Sequence, residues 1–472
     1  MNFIPKHVKK IYLIAICGTG MGSLAGLLKS HGYEVAGSDN NIYPPMSLEL
    51  AKQGIPVFAP FADQNVKNFN PDLIIVGNAV SRTNPESEYM MKTEIPYVSM
   101  PQALNHFFLA DKDVIVMSGT HGKTTSTTIM AYLLNSLGLD PSYLIGGVSK
   151  NFASSFHIGS GKYFVIEGDE YDTAFFDKGP KFLHYNPKHV VMTSLEFDHA
   201  DIYQNLDHLT ESFAKLAKLI PEDGSLHYCD SYPRLQEVAG LCLAPKRCYG
   251  MVSTEWEIDN YKATSKGTSF DISENGQILV HLDSPMPGKH NALNVAACFS
   301  VLKTLNLDLK LAANALSGFS GVKRRQEVLF EDENLIVIDD FAHHPTAVFE
   351  TIQAIKTRYP ERKITTIFEP RSNSSMRDIF QKEFTNSFLP ADEIILAPVF
   401  NPQKISDGKI LNVPQMVAEL RAQKKEAYHY QSTDEILKHL LTHTRAPSVA
   451  LIMSNGSFDN IHNKLIQAWK AL

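Results

Sequence analysis

The chain has 472 residues, and at roughly 150 residues per domain this length suggests about three domains. Hydrophobic residues make up 44% and charged residues 20%, with 27 Gly and 25 Pro dispersed along the chain, which excludes a disordered or fibrous protein. Lys and Arg number 44 against 51 Asp and Glu, and this net charge of −7 gives no support to nonspecific binding of nucleic acid. The 5 cysteines form no C-x-x-C pair, which favours reduced thiols in the cytoplasm and argues against a zinc site.

The first predicted elements are an apolar strand, IYLIAIC, a glycine loop and a helix that continues to about Ser30. Ile11 to Leu28 is uncharged for 18 residues and follows three lysines, a pattern that is also typical of a signal peptide or a short transmembrane helix. We favour a buried strand and a glycine loop, because the apolar run stops at Cys17 and glycines then interrupt it. The strands YEVAGSD and DLIIVGNAV follow, which gives a β-α-β rhythm.

The glycine loop carries a candidate site for a pyrophosphate. Gly18 and Gly20, with Asp39 further along, are similar to a dinucleotide-binding fingerprint, in which glycines let the backbone approach the ligand closely. The third glycine of that fingerprint is expected at position 23, which is Ser23 here. A purely structural glycine turn remains the alternative interpretation.

A second strand, DVIVMS, begins at Asp113 and leads into GTHGKTT and then an apolar helix. This context predicts an ATP-binding loop, because the backbone N–H groups and the helix N-terminus face phosphate, while a lysine neutralises the terminal phosphates and a threonine hydroxyl binds Mg²⁺. The loop is shorter than a typical P-loop, since Met117 stands where the first glycine is expected. The alternative is a glycine turn with an exposed lysine. The loop residues are Gly119, Thr120, His121, Gly122, Lys123, Thr124 and Thr125.

A magnesium ion beside ATP needs acidic or imidazole ligands at the ends of neighbouring strands. Two acidic strand ends compete for this role: YFVIEGDEYD, with Glu167, and LIVIDD, with Asp339 and Asp340. We prefer Glu167, which lies 43 residues after Thr124 in the same expected domain, and leave Asp340 for another nucleotide contact. The strand HVVMTSLEFDHAD delivers His199, whose position beside the P-loop domain favours a functional role over that of an ordinary loop residue.

A third strand start lies near Asn334, where NLIVIDD leads to FAHHPTAVFETIQAIK and the further strands ITTIFEP and EIILAPVF. Composition alone would place the arginines of this half on a solvated surface. Together with the two phosphate-binding loops, they predict a site for several phosphates and carboxylates. The polar clusters are PGKHNALNVAA with Asn291 and Asn294, VKRRQE with Arg325, DDFAHHP with His344, and FEPRSNSSM with Arg371.

The motifs GTHGKTT, EGDEYD, DHAD, KHNALNVAA, VKRR and DDFAHHP occur in the order found in the Mur ligases, and the chain resembles that family over nearly its whole length. The resemblance implies an α/β protein of three closely packed domains. These are a Rossmann-like UDP-sugar-binding domain at 1–108, a central P-loop ATPase domain at 109–321 and a C-terminal Rossmann-like ligase domain at 322–472. It also implies a cytoplasmic enzyme that uses ATP to join a carboxylate to an amine through an acyl phosphate, without nucleic acid or membrane insertion.

The resemblance also implies roles for individual residues. Lys123 and Thr124 would contact the ATP phosphates and Mg²⁺, with Glu167 and His199 as further metal ligands. The lysine that is often carbamylated in Mur ligases matches neither Lys215 nor Lys218. The other residues expected to contact ATP are the rest of 119–125, Asn291, Asn294, Arg325 and Asp340. Those expected to contact UDP are Gly18, Gly20 and Asp39. The residues expected to be catalytic, where the γ-phosphate, the acyl phosphate and the peptide meet, are Lys123, His199, His344 and Arg371.

Within the family, several segments favour the branch that attaches the tripeptide L-Ala-γ-D-Glu-meso-diaminopimelate to UDP-N-acetylmuramate in peptidoglycan recycling. They are NIYPPMSLEL, GNAVSRTNP, EYDTAFFDKGPKFLHY, LEFDHADIY, FAHHPTA, EPRSNSSM and MSNGSF. The alternative is the branch that adds L-alanine to the same acceptor. Two other classes fit less well: a nicotinamide-dependent oxidoreductase leaves GTHGKTT unexplained, and a catalytically idle nucleotide-binding regulator does not need the metal ligands.

Overall fold

The structure is a computed structural model, and it describes residues 3–42, 46–252, 255–405, 408–444 and 447–471. Residues 43–45 of the segment NIYPPMSLEL lie outside these ranges. The chain divides into two compact units. The first unit comprises Met1–Leu195, Asp207–Tyr249 and Ala297–Ala312, and the second comprises Glu196–Leu206, Gly250–Ala296 and Ala313–Leu472.

The first sheet of the first unit is parallel, and its strand order β3-β2-β1-β4-β5 is that of a dinucleotide-binding fold. The order reverses between β1 and β4, so the glycine loop after β1 lies at the switch point where such sheets bind ligands. Residues 11–28 are divided between β1 and α1, which confirms the prediction of a strand and a loop. The elements are β1 (Lys10–Ile14), α1 (Thr19–Ser30), β2 (Glu34–Ser38), α2 (Met46–Lys52), β3 (Val57–Phe58), α3 (Asp63–Phe69), β4 (Leu73–Val76), α4 (Pro85–Lys92), β5 (Tyr97–Ser99) and α5 (Met100–Leu104).

The remaining strands of the first unit have the order β14-β13-β12-β6-β9-β7-β8, all parallel except the last pair. The predicted strand DVIVMS is β6, and GTHGKTT joins it to α6, whose inner face is fully buried. The short strands β10 and β11 form a separate antiparallel pair. The elements are β6 (Asp113–Ser118), α6 (Lys123–Ser136), β7 (Ser142–Leu144), β8 (Phe156–His157), β9 (Tyr163–Gly168), β10 (Asp172–Ala174), β11 (Asp177–Pro180), β12 (His189–Met192), α7 (Leu206–Leu219), β13 (Ser225–Cys229), α8 (Pro233–Ala239) and β14 (Lys246–Gly250).

The second unit contains an antiparallel meander, β15-β16-β17, and a sheet of order β18-β19-β23-β20-β21-β22 that is parallel apart from β18. Apolar side chains of β19, β20, β21 and β23 form its core together with helices on both faces. The elements are β15 (Trp256–Thr264), β16 (Gly267–Glu274), β17 (Gln277–Ser284), β18 (Glu327–Glu331), β19 (Leu335–Asp340), α11 (Pro345–Arg358), β20 (Lys363–Phe368), α12 (Gln381–Ser387), β21 (Glu393–Leu396), α13 (Val413–Ala422), β22 (Glu426–His429), α14 (Thr433–His443), β23 (Ser448–Met453) and α15 (Ile461–Lys470). The helices α9 (Lys289–Thr304) and α10 (Leu309–Leu316) each have residues in both units.

The predicted α/β class is confirmed by these parallel sheets and their helices. Within the part of the chain that the structure describes, no helix is both long and apolar enough to cross a membrane. The predicted domain limits at 108 and 321 stay predictions.

Candidate active site

The loop between β6 and α6 is held by residues that follow β12. Gly119 has a φ of +133°, and a Cβ atom there would lie 2.1 Å from Thr193 Oγ1. Thr193 also donates a hydrogen bond to the carbonyl of His121, while the N–H groups of Thr120 and His121 donate to Ser194 O (3.2 Å) and Ser194 Oγ (2.7 Å). Only glycine satisfies both the backbone angle and the close approach at position 119.

Lys123 is bound in a buried ion pair. Its Nζ lies 2.9 and 2.8 Å from the two carboxylate oxygens of Glu170, which is 1% exposed, and donates to Gly119 O at 2.7 Å. Burial by itself would lower the pKa of Lys123, but the carboxylates of Glu170, Asp169 and Glu167 outweigh it and raise that pKa. The amine is therefore a fixed positive charge at neutral pH, which suits a partner for phosphate.

Thr124 and Glu167, both predicted to bind metal, lie in contact. The Thr124 hydroxyl is 3.1 and 3.0 Å from the two carboxylate oxygens of Glu167, and the N–H of Gly146 donates to the second oxygen at 3.0 Å. A Cβ atom at Gly146 would lie 2.4 Å from that oxygen, so glycine is needed to let the carboxylate in. A hydroxyl and a carboxylate side by side are the hard oxygen ligands that Mg²⁺ prefers.

A second carboxylate, that of Asp169, is 29% exposed and also acts on Lys123. Lys181 Nζ donates to it at 2.6 Å, and the attraction of Lys181 and Lys123 overcomes burial and lowers the pKa of Asp169 to about 2. The sequence patterns did not predict a role for Glu170, Asp169 or Lys181. The available signal was the run of acids in EGDEYD, directly after β9.

The three residues predicted to face UDP lie together at the switch point of the first sheet. Gly18 immediately precedes α1, and a Cβ atom at Gly20 would lie 3.0 Å from Met100 Cε. Asp39 accepts hydrogen bonds from the N–H groups of Cys17 (3.0 Å) and Asn41 (3.0 Å), so its carboxylate holds the end of β1 beside the glycine loop. The two oxygens of Asp39 are thus engaged in shaping the loop.

In the second unit, the predicted nucleotide contacts form one hydrogen-bonded group around Gln326. The Gln326 N–H donates to Asp340 Oδ2 at 2.7 Å, and its side-chain oxygen accepts from Asn291 at 3.4 Å. Asn294 donates to Asn291 at 3.4 Å. Burial raises the pKa of Asp340, although the neighbouring Arg325 opposes the shift. The sequence patterns did not single out Gln326, which hydrogen-bonds both Asp340 and Asn291.

Arg371 lies where β20 and β23 end side by side. Its guanidinium stands 3.7 Å from the ring centroid of Phe400, and Nη1 is 3.6 Å from Glu369 Oε2. A Cβ atom at Gly456 would lie 2.1 Å from Arg371 Nε, so the guanidinium packs directly on the backbone after β23. Ser454 fixes Glu369 with a hydrogen bond of 2.6 Å. The arginine is therefore held in one orientation at the carboxyl edge of the sheet.

His199 and His344 lie in the second unit, near one another in the segment after β12 and the loop after β19. The N–H of His199 donates to Asp198 Oδ1 at 2.7 Å. His344 Nε2 is 3.2 Å from Phe197 O, and its Nδ1 is 3.8 Å from Glu196 Oε2. Burial would raise the pKa of Asp198, but the surrounding imidazoles lower it strongly. Because Thr124 and Glu167 belong to the first unit, a metal site that joins them to His199 stays a prediction.

Comparison with known families accounts for this succession of sites. The chain matches three family models in order: "Mur ligase family, catalytic domain" at residues 10–112, "Mur ligase middle domain" at 117–302 and "Mur ligase, glutamate ligase domain" at 324–456. The chain therefore belongs to the Mur ligase family, as its motifs predicted. Mur ligases form amide bonds at the expense of ATP, so the predicted enzyme class is confirmed.

Individual members of the family are similar to the chain over nearly its whole length. The chain is 35% identical, over 97% of both chains, to the UDP-N-acetylmuramate–L-alanyl-gamma-D-glutamyl-meso-2,6-diaminoheptandioate ligase of Escherichia coli K12. It is 31% identical, over 96% of both chains, to the UDP-N-acetylmuramate–L-alanine ligase of Clostridium tetani. Among solved structures, a murein peptide ligase of Psychrobacter arcticus has a TM-score of 0.72 at 33% identity, covering 98% of this chain and 99% of that one. The MurC enzyme of Thermotoga maritima has a TM-score of 0.81 at 25% identity, covering 98% and 100%.

Proposed function

We propose that this chain joins the tripeptide L-alanyl-γ-D-glutamyl-meso-2,6-diaminoheptandioate to UDP-N-acetylmuramate at the expense of ATP. The observation that carries the proposal is the 35% identity over 97% of the chain to the Escherichia coli ligase of that specificity, against 31% for the L-alanine ligase of Clostridium tetani. L-alanine as the amine is the second candidate, because the Thermotoga maritima MurC enzyme has the higher TM-score, 0.81 against 0.72.

The first chemical step activates a carboxylate, which by itself is a poor electrophile. The lactyl carboxylate of UDP-N-acetylmuramate attacks the γ-phosphorus of ATP, an O–P bond forms, and ADP leaves with the electrons of the broken bond. The fixed positive charge of Lys123, held by Glu170, supports a role in neutralising the phosphates. We assign the backbone of 119–125, with the group around Gln326, to binding ATP, and Gly18, Gly20 and Asp39 to binding UDP.

The donor set around Thr124 fits a magnesium ion. Its hydroxyl and the Glu167 carboxylate offer adjacent hard oxygens 3.0 Å apart, and we assign His199 as the third protein ligand. A bound Mg²⁺ would supply charge neutralisation of the phosphate oxygens.

The second chemical step forms the amide bond. The unprotonated α-amine of the peptide attacks the acyl carbon, a C–N bond forms, phosphate leaves as the C–O bond breaks, and the departing phosphate takes up the proton that the nitrogen loses. We assign Arg371 and His344 to the region where acyl phosphate and peptide meet, because both are held in single orientations by their neighbours. The reaction needs water excluded, since an acyl phosphate hydrolyses when wet. The described cysteines are all free thiols, which supports our proposal of a cytoplasmic enzyme.

The amine specificity is tested by measuring phosphate release from ATP with Mg²⁺ and UDP-N-acetylmuramate. Three amines are compared: L-alanine, the meso-diaminopimelate tripeptide and the corresponding lysine tripeptide, with the product mass confirmed each time. We expect ligation with the diaminopimelate tripeptide. Ligation of L-alanine alone would contradict this specificity and favour the second candidate, and no ligation with any amine would overturn the substrate assignment.

A further inference from the structure

The segment Glu196–Asp201, which carries His199, is hydrogen-bonded to the N-terminus of α11, which follows β19, and to the loop that follows β20. The segment falls within the match to the middle-domain family model, whereas its partners fall within the match to the C-terminal model, and all of them belong to the second compact unit. The four hydrogen bonds are Thr346 Oγ1 to Glu196 Oε1 (3.0 Å), His344 Nε2 with Phe197 O (3.2 Å), Ser374 Oγ to Asp198 Oδ1 (2.6 Å) and Asn373 Nδ2 to Asp201 Oδ2 (2.8 Å).

The hydrogen bond of Ser374 differs from the other three, because the Asp198 oxygen that accepts it also accepts a hydrogen bond from the His199 backbone. Asp198 Oδ1 accepts the Ser374 hydroxyl at 2.6 Å and also the His199 N–H at 2.7 Å. Ser374 and Asp198 are each 3% exposed, so water does not compete for this oxygen. Hydrogen bonds to a buried carboxylate are stronger than those between neutral groups. The hydroxyl therefore fixes the carboxylate that in turn fixes the histidine backbone.

His199 needs such support, because its backbone is in the left-handed region. Its φ is +55°, a conformation that a residue with a Cβ atom adopts only when its surroundings hold it there. The His199 carbonyl also accepts hydrogen bonds from the N–H groups of Ile202 (2.9 Å) and Tyr203 (3.0 Å), which come from its own segment. Ser374 supplies an anchor from outside the segment, through Asp198.

We propose that Ser374 is a positioning residue for His199, assisted by Asn373, so that the C-terminal part of the chain sets the orientation of a metal ligand contributed by the middle part. The role of His199 toward metal rests on the proposed function, whereas the anchoring of its segment does not. Consequently, loss of the Ser374 hydroxyl should loosen residues 196–203 in the protein without ligands and weaken divalent-metal binding when nucleotide is present. The ATP-binding loop around Lys123 should keep its own order.

The experiment compares Ser374→Ala with Ser374→Thr, which keeps the hydroxyl, and with Ser387→Ala. Ser387 is a matched control, because it is also buried (4% exposed) but donates only to Phe384 O within α12. Hydrogen exchange of residues 196–203 is measured on the full chain without ligands. Binding of Mn²⁺, which takes the same oxygen-rich sites as Mg²⁺, is measured by electron paramagnetic resonance in the presence of ADP.

For Ser374→Ala we expect exchange about tenfold faster and Mn²⁺ binding about tenfold weaker, the scale of losing one hydrogen bond to a charged group. Ser374→Thr and Ser387→Ala should behave as the wild type. Wild-type exchange in Ser374→Ala would overturn the anchoring, and faster exchange with unchanged Mn²⁺ affinity would overturn the link to the metal. If wild-type protein bound no Mn²⁺, the metal-binding role of His199 in the proposed function would be wrong. The hydrogen-exchange result would still show whether Ser374 anchors the segment. If Ser374→Ala did not fold, Asn373→Ala would be judged by the same exchange criterion.

Discussion

Replacing Glu170 by Gln should destabilise the ATP-binding loop, because it removes the charge that Lys123 is paired with. The Lys123 Nζ lies 2.9 and 2.8 Å from the two carboxylate oxygens, and the side chains of Lys123 and Glu170 are 13% and 1% exposed. At about 3 Å and an effective dielectric constant of about 20, their Coulomb attraction is roughly 5 kcal/mol. Breaking a buried pair by removing one partner costs about 3–5 kcal/mol. Because Gln keeps an acceptor oxygen, we expect a loss of about 3 kcal/mol.

The assay is hydrogen exchange of the amides of α6, since a chain with two compact units has no single free energy of unfolding. A loss of about 3 kcal/mol corresponds to roughly 150-fold faster exchange where local opening limits the rate. The control is Asp63→Asn, which breaks the surface pair with Lys67, whose side chains are 49% and 40% exposed. This control should leave the exchange of α3 unchanged. Exchange of α6 within twofold of the wild type in Glu170→Gln would show that the pair with Glu170 does not stabilise the loop.

Two further predictions concern the loop and the pH dependence of stability. Gly119→Ala should abolish ligation, because the new Cβ would lie 2.1 Å from Thr193 Oγ1 and the backbone has φ +133°; a steady-state assay that found near-normal kcat would contradict this. His189, 5% exposed, has its pKa lowered by burial from 6.5 to about 4, so the unfolded chain binds the proton more readily and stability falls as pH drops from about 6.5 to 4, by up to roughly 3 kcal/mol. His189→Gln should flatten the pH dependence of the opening free energy of β12, measured by hydrogen exchange and corrected for the intrinsic exchange rate at each pH. An equally steep dependence in the variant would show that other groups cause it.

Individual strands and helices were predictable where amino-acid composition and hydrophobic periodicity agree, whereas the pairing of the strands was not. DVIVMS coincides with β6, Asp113–Ser118, because its short length, its β-branched residues and the glycine loop that follows all favour a strand. The strand order β3-β2-β1-β4-β5 depends on contacts between distant segments, which hydrophobic periodicity and secondary-structure propensity do not predict. For the same reason, the sequence did not predict the hydrogen bond between Asp198 and Ser374, which are 176 residues apart.

In the candidate site, the sequence predicted which residues carry the chemistry, but it predicted only some of their contacts. Thr124 and Glu167 were paired correctly in space from the strand-end argument, since carboxyl ends of neighbouring parallel strands meet at one edge of a sheet. The partner of Lys123 was not predicted, because EGDEYD offers several acids and only the turn after β9 selects Glu170. Gln326 escaped notice for a similar reason: its backbone N–H, rather than its side chain, engages Asp340.

In the reaction that we propose, ATP activates the carboxylate of UDP-N-acetylmuramate before the amine attacks, and this order of steps can be tested by isotope transfer. UDP-N-acetylmuramate labelled with ¹⁸O in its lactyl carboxylate is incubated with ATP, Mg²⁺ and the meso-diaminopimelate tripeptide, and the released phosphate is analysed by mass spectrometry. We expect one ¹⁸O atom per released phosphate with the wild type, and neither phosphate nor product with Lys123→Ala. Product formation with unlabelled phosphate, or with undiminished rate in Lys123→Ala, would contradict it.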